Sequence, residues 1–182
     1  MHLLVKKINL RRHHIDESHW YVLYTRPNLE KMINKNLKER GLHSYLPLQK
    51  ELRYWNDREV WIETPLFRSY IFIKTSLKEK DKVFSTYGII KYVKLGSQLA
   101  IIKEDEIDRI KQLCLYQGDV NIEFENKIEG RKVEICNGVL KGLIGSLTES
   151  DNDRRVHIYI EGLNCFANVT VDLESVFLKY IQ

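Results

Sequence analysis

The sequence predicts an α+β protein in two parts: helices packed on a mostly antiparallel sheet, then a small all-β barrel. Three observations carry this. Apolar stripes at helical spacing recur within residues 18–117, but none appears in residues 127–182. From residue 127 onward, short β-branched runs alternate with Gly-, Asn- and Asp-rich turns. The charge also shifts: residues 18–117 hold 18 Lys/Arg against 12 Asp/Glu, and residues 127–182 hold 7 against 8.

Taken in order, residues 1–17 mix Lys6, Lys7, Arg11, Arg12, His13 and His14 with few apolar residues and read as a flexible tail. Trp20-Tyr21-Val22-Leu23-Tyr24 is aromatic and β-branched enough for a buried strand. Pro27 suits a first helical turn, Leu29, Met32, Ile33 and Leu37 form an apolar stripe, and Gly41 stops it. Two runs, Leu52–Trp55 and Glu59–Ile62, flank Asn56-Asp57-Arg58 as a hairpin with its tip. Pro65-Leu66-Phe67 leads into the strand Tyr70–Ile73. Ser76 and Glu79 match a capping box, so a short helix is expected from there to Ser85. Gly88 breaks it, Ile89–Leu95 alternates as one strand ending at Gly96, and a last helix starts near Lys103 with Ile107, Ile110 and Leu113 on its apolar face.

Residues 118–126 lack apolar periodicity and read as a linker between a domain at 18–117 and a domain at 127–182. Five strand-like runs follow: Lys132–Ile135, Gly142–Leu147, Val156–Ile160, Cys165–Val169 and Ser175–Leu178. Turns at Asn137-Gly138, Asp151-Asn152-Asp153 and Glu161-Gly162 separate them, as a small five-stranded barrel requires. Local preference favours strands over a helical hairpin throughout this part, because five glycines would each cost a helix up to about 1 kcal/mol relative to alanine.

Composition narrows the function. The 43% hydrophobic and 30% charged shares are those of a globular protein, and no run approaches a membrane span or a secretory leader. The expectation is a cytoplasmic monomer. Cys114, Cys136 and Cys165 are odd in number and lack a C-x-x-C pair, which points to small buried hydrophobes rather than disulfides or zinc. His13-His14 has no partner ligands at useful spacing. No phosphate loop, nucleophile elbow or metalloprotease helix is present, so neither catalysis nor a cofactor is expected. The basic excess of residues 18–117 makes that block the better candidate for touching nucleic acid.

Two segments go beyond pattern. Gly130–Gly145 reads as a strand, a glycine turn, then Leu140-Lys141-Gly142-Leu143-Ile144-Gly145. It resembles a KOW motif, in which Gly138 and Gly142 permit positive φ and Gly145 permits close strand approach. Pro65-Leu66-Phe67-Arg68-Ser69-Tyr70-Ile71-Phe72-Ile73, with Trp20–Tyr24 before it and Tyr92–Gly96 after it, resembles the N-terminal domain of the NusG family of transcription elongation factors. Order and spacing agree across residues 18–182. Within the family the chain is similar to specialised antiterminators such as RfaH and those of capsule operons, through its Pro65-Leu66-Phe67 approach and the tail before Trp20. It departs from the common pattern at Arg68, where proline is frequent.

The resemblance implies an α/β sandwich followed by a five-stranded KOW barrel, acting without chemistry of its own. It implies binding to the clamp helices of the RNA polymerase largest subunit through Tyr24, Phe67, Tyr70 and Phe72. It implies contact of Arg26, Thr86 and Tyr87 with non-template or upstream DNA. Gly138, Lys141, Gly142 and Gly145 belong to the KOW motif, whose domain would take a small-subunit ribosomal protein or a termination factor. The implied outcome is suppression of pausing or termination. A general factor that promotes pausing or termination, and a KOW protein that binds ribosomes or RNA, are the alternatives.

Overall fold

A computed structural model describes residues 17–55, 58–124, 128–150, 153–171 and 177–181. The tail with His13-His14, the Asn56-Asp57 tip, Asn126 of the expected linker, the Asp151-Asn152 turn and Ser175-Val176 lie outside the described residues. The chain divides into two compact units: Met1–Leu46 with Arg68–Lys103, and Pro47–Phe67 with Glu104–Gln182.

The first unit is built around β1 (His19–Thr25), whose Val22 and Leu23 are fully buried. β5 (Tyr70–Thr75) pairs antiparallel along one edge of β1, from His19↔Thr75 to Tyr24↔Tyr70, and β2 (His43–Tyr45) extends the sheet beyond β5. β6 (Ile89–Tyr92) and β9 (Ile101–Ile102) pair along β1's other edge. Helix α1 (Glu30–Glu39) buries Ile33 and Leu37 completely, as its stripe predicts, while Met32 stays exposed. It ends where Gly41 takes φ +74° and donates to the Lys38 carbonyl.

Two expectations need correction here. The segment from Ser76 forms a 3-10 helix at Lys80–Ser85, with no side-chain cap. Glu79 instead pairs with Lys82, and a six-residue segment before Gly88 is too short to sustain an α-helix. Nor is Ile89–Leu95 one strand. Val93 leaves the ladder to bond the Val22 carbonyl, and β7 (Lys94–Leu95) turns at Gly96, φ +61°, into β8 (Gln98–Leu99).

In the second unit, β3 (Leu48–Trp55) and β4 (Arg58–Pro65) form the expected hairpin, longer than predicted at both ends, with Tyr54, Trp55 and Trp61 exposed. Helix α2 (Glu104–Leu115) buries Ile107, Ile110 and Leu113. The stretch read as a linker contains a strand, β10 (Val120–Glu123), paired with β14 (Cys165–Thr170). Its short apolar content, Val120 and Ile122, faces the same side as Val169 and Ala167 and escaped a reading that sought longer runs. With β11 (Arg131–Ile135), β12 (Ile144–Ser150), β13 (Asp153–Ile160) and β15 (Leu178–Tyr180), the result is a six-stranded antiparallel sheet in the order β10-β14-β13-β12-β11-β15. Val133, Ile135, Val156, Ile158, Ile160, Ala167 and Val169 fill its core, and the stretch is strand rather than helical hairpin.

Three polar side chains cross that sheet. The buried His157 ring bonds Asn168 Oδ1 through Nδ1 at 2.6 Å and the Thr148 hydroxyl through Nε2 at 2.7 Å. Because a carbonyl-type oxygen only accepts, Nδ1 carries the proton. Helix α2 joins the sheet through the buried Glu106, whose Oε1 accepts the Gly162 N–H at 3.0 Å. The Tyr116 hydroxyl, just past the helix, donates to the Thr170 carbonyl at 2.9 Å. Among the described residues no helix is long and apolar enough to cross a membrane.

Candidate functional site

Strand register explains the main candidate. Antiparallel pairing places Tyr24 directly opposite Tyr70, and the two rings meet edge-on with centroids 5.8 Å apart. Both open onto a cleft of about 900 Å³ in the first unit. Its other walls include Phe84, Tyr92, Val93 and Leu99, with Lys80, Lys91 and Lys94 against a single Asp81. Lys91 Nζ lies 5.8 Å from the Tyr24 ring centroid, a cation over an aromatic face. Tyr92 forms the floor: it is 7% exposed and its hydroxyl donates to the Lys80 carbonyl at 2.8 Å. Burial, with Asp81 and Tyr21 nearby, pushes its phenol well above the ordinary range. Phe84 stacks edge-on against it at 5.8 Å and is half exposed. The cleft therefore offers aromatic anchors within a cationic rim.

The four aromatic candidates separate. Tyr24 and Tyr70 line the cleft, whereas Phe67 and Phe72 are 2% and 0% exposed. Phe72 packs near Tyr45, with ring centroids 6.2 Å apart. A ring without accessible surface supports its neighbours rather than meeting a partner itself. Phe84, Lys80 and Lys91 are among the further cleft residues; the sequence reads Lys78, Lys80 and Lys82 as a solvated face with DNA or clamp contact as the alternative, and nothing in it sets Phe84 or Lys91 apart.

The nucleic-acid candidates form a second cluster. Arg26 Nη1 donates to the Tyr87 hydroxyl at 2.9 Å, with the guanidinium 5.2 Å from that ring centroid. Both residues are exposed, Tyr87 by 67%. The Arg26 N–H also bonds the Gly88 carbonyl at 2.9 Å. Gly88 has φ +96°, and a Cβ there would meet Ile33 Cδ1 at 2.8 Å, so the turn requires glycine against α1. Thr86 is only 4% exposed; its hydroxyl accepts from Arg40 Nη1 at 2.8 Å. Arg40 follows α1 and lies 46 residues away in sequence, a pairing that periodicity does not reveal.

In the glycine-rich segment, Gly138 takes φ +69° and Gly142 φ +85°, bracketing a turn in which Lys141 N–H bonds the Gly138 carbonyl at 3.2 Å. Lys141 is exposed, and its carbonyl accepts from Gln112 Nε2 at 3.4 Å. At Gly145 a Cβ would fall 2.7 Å from the His157 carbonyl oxygen, so the strands approach only because glycine is there. Among the described residues no group of three or more His, Cys, Asp or Glu is placed to hold a metal ion.

The family model for transcription termination factor NusG matches residues 18–111, just over half of the chain. The chain belongs to the NusG family. A solved structure on domain interaction in Thermotoga maritima NusG is similar at 20% identity with a TM-score of 0.52, covering 91% of this chain and 98% of that one, which shows a shared NusG fold. An MjSpt4:Spt5 complex structure aligns at 15% identity and a TM-score of 0.31, over 90% of this chain and 99% of that one. The matched NusG stretch contains Tyr24, Tyr70, the lysine rim and the Arg26–Tyr87 cluster.

Proposed function

We propose that this NusG-family chain binds RNA polymerase through the Tyr24–Tyr70 cleft, seated on the clamp helices of the largest subunit, and suppresses pausing or termination as an operon-specific antiterminator. The cross-strand tyrosine pair, half-buried in the wall of a lysine-rimmed cleft, is the observation that carries the reading. Helix recognition needs such a groove: aromatic anchors supply most of the binding energy and flanking charge selects the partner. The three lysines favour a helix with an acidic flank.

Arg26 and Tyr87 supply the second contact in this proposal. A guanidinium beside an exposed ring suits a non-template strand, one group meeting phosphate and the other stacking on a base. Arg26→Ala should therefore weaken loading on a paused complex while binding to free polymerase is unchanged. The defect should shrink at high salt, because phosphate contacts work through counterion release. An equal deficit with free polymerase would place Arg26 in the polymerase contact instead. The six-stranded sheet is proposed to close as the KOW barrel and to take a ribosomal protein or a termination factor as partner.

Single-round transcription through a terminator tests the sign of the effect. The proposal expects the chain to raise readthrough and Tyr70→Ala to abolish the increase. Increased termination would establish the general pausing or termination role instead.

A further inference from the structure

Glu30 is the first residue of α1, yet its side chain is 5% exposed. A buried carboxylate must find hydrogen-bond donors. Its Oε1 accepts the Ser69 N–H at 2.8 Å, across 39 residues of sequence. The helix N-terminus, where no other side chain caps the backbone, adds a favourable field for its charge. Ser69 has φ +64°, a left-handed conformation that residues with a Cβ rarely adopt and that persists only when surrounding structure enforces it.

The second restraint on Ser69 comes from β1. The Thr25 N–H bonds the Ser69 carbonyl at 2.8 Å. Thr25 follows Tyr24 and Ser69 precedes Tyr70, so this junction adjoins both members of the cleft's aromatic pair. Thr25 is fully buried, and its Oγ1 has no hydrogen-bond partner among the described residues. The β1–β6 register also shifts between Tyr24 and Thr25. A left-handed serine, an unpaired hydroxyl and a register shift thus coincide beside the two cleft tyrosines. Strain of this kind is retained where it fixes a functional geometry.

We propose that Glu30 is a positioning residue for the cleft: its carboxylate enforces the left-handed turn at Ser69 and thereby sets Tyr70 against Tyr24. This rests on the reading of the cleft as the polymerase contact. Without the carboxylate, the Ser69 N–H has no acceptor and the residue relaxes toward negative φ. The peptide that precedes Tyr70 rotates with it, and the ring leaves its place.

The test is a double-mutant cycle on the full-length chain, measuring affinity for core RNA polymerase and folding by circular dichroism. Glu30→Ala should weaken binding about tenfold, as displacing an interface anchor does. Glu30→Gln keeps an acceptor oxygen and should stay within about threefold. In a Tyr70→Ala background, Glu30→Ala should add less than about twofold, because a residue acting only through Tyr70 has nothing left to position. Ser69→Gly, which accepts positive φ unaided, should restore binding to Glu30→Ala, and this pair carries the comparison if Glu30→Ala alone does not fold.

Wild-type affinity of folded Glu30→Ala, a full multiplicative loss in the Tyr70→Ala background, or failure of Ser69→Gly to restore binding would each overturn the assignment. Wild-type affinity of Tyr70→Ala itself would overturn the reading of the cleft instead. A weakened Tyr70→Ala beside an unaffected Glu30→Ala would overturn only the role of Glu30.

Discussion

Two strand pairs in this molecule carry the same local motif and differ in what surrounds it. On β1–β5, Tyr24 faces Tyr70 at 5.8 Å; on β13–β14, Tyr159 faces Phe166 at 5.1 Å. Both are directly opposed aromatic pairs of the kind that stabilises a sheet. The first opens onto a cleft with three lysines and adjoins the strained Ser69 turn. The second differs: Phe166 is 9% exposed, while Tyr159 is 41% exposed with its hydroxyl held by Asn164 Oδ1 at 2.7 Å. The buried His157–Asn168 bond lies next to it. An aromatic pair alone does not mark a binding surface; the cleft that Tyr24 and Tyr70 line and its three lysines set that pair apart.

The comparison breaks most visibly at Phe72, two residues from Tyr70 on the same strand. Phe72→Ala removes a fully buried ring and should cost about 3–5 kcal/mol of stability, read by denaturant unfolding of the first unit's signal. A loss below about 1 kcal/mol would mean that Phe72 is not core. In the second sheet, Gly145→Ala should cost about 1–3 kcal/mol, since its Cβ would press on a backbone carbonyl at 2.7 Å that cannot swing aside. Unchanged stability would show that β12 and β13 are not held this close. At the edge of the cleft, Ser69→Gly should stabilise the first unit by about 0.4–1 kcal/mol by relieving a left-handed serine, the inverse of the usual glycine cost. Destabilisation would contradict the strain argument.

A smaller effect concerns pH. Burial pushes the Cys165 thiol up to about 12, with Glu106 adding to it, while the unfolded thiol ionises near about 8.5. A folded pKa above the unfolded one stabilises fully below about pH 8.5, and that contribution falls away as pH rises toward 12. Alkylation at pH 8 should accordingly modify the half-buried Cys114 and Cys136 well before Cys165. Equal rates would place Cys165 at the surface.

Much of the fold was legible because single residues determined it. Val22 and Leu23 could only be a buried strand, Ile33 and Leu37 could only face inward, and Gly138 and Gly142 announced positive φ. What escaped notice was short or non-local. β10 has two apolar residues in four, and β8 and β9 are two residues each, below the length at which alternation is readable. The Ser76–Glu79 box was a genuine pattern overruled by the short segment behind it. For the site, resemblance brought Tyr24, Tyr70, Arg26 and Tyr87 into view. It could not separate the half-buried tyrosines from the fully buried Phe67 and Phe72, since all four are aromatic and burial depends on what folds over them. Glu30 and Arg40 reach partners 39 and 46 residues away, and only the folded chain joins them.

The central claim, that the cleft pair Tyr24–Tyr70 and not the Tyr159–Phe166 pair meets polymerase, is tested most directly by titrating core RNA polymerase with folded Tyr70→Ala and Tyr159→Ala side by side. The account predicts a loss of about 2 kcal/mol or more, roughly thirtyfold in affinity, for Tyr70→Ala, and wild-type affinity for Tyr159→Ala. Wild-type affinity of Tyr70→Ala, or an equal loss in both variants, would contradict it.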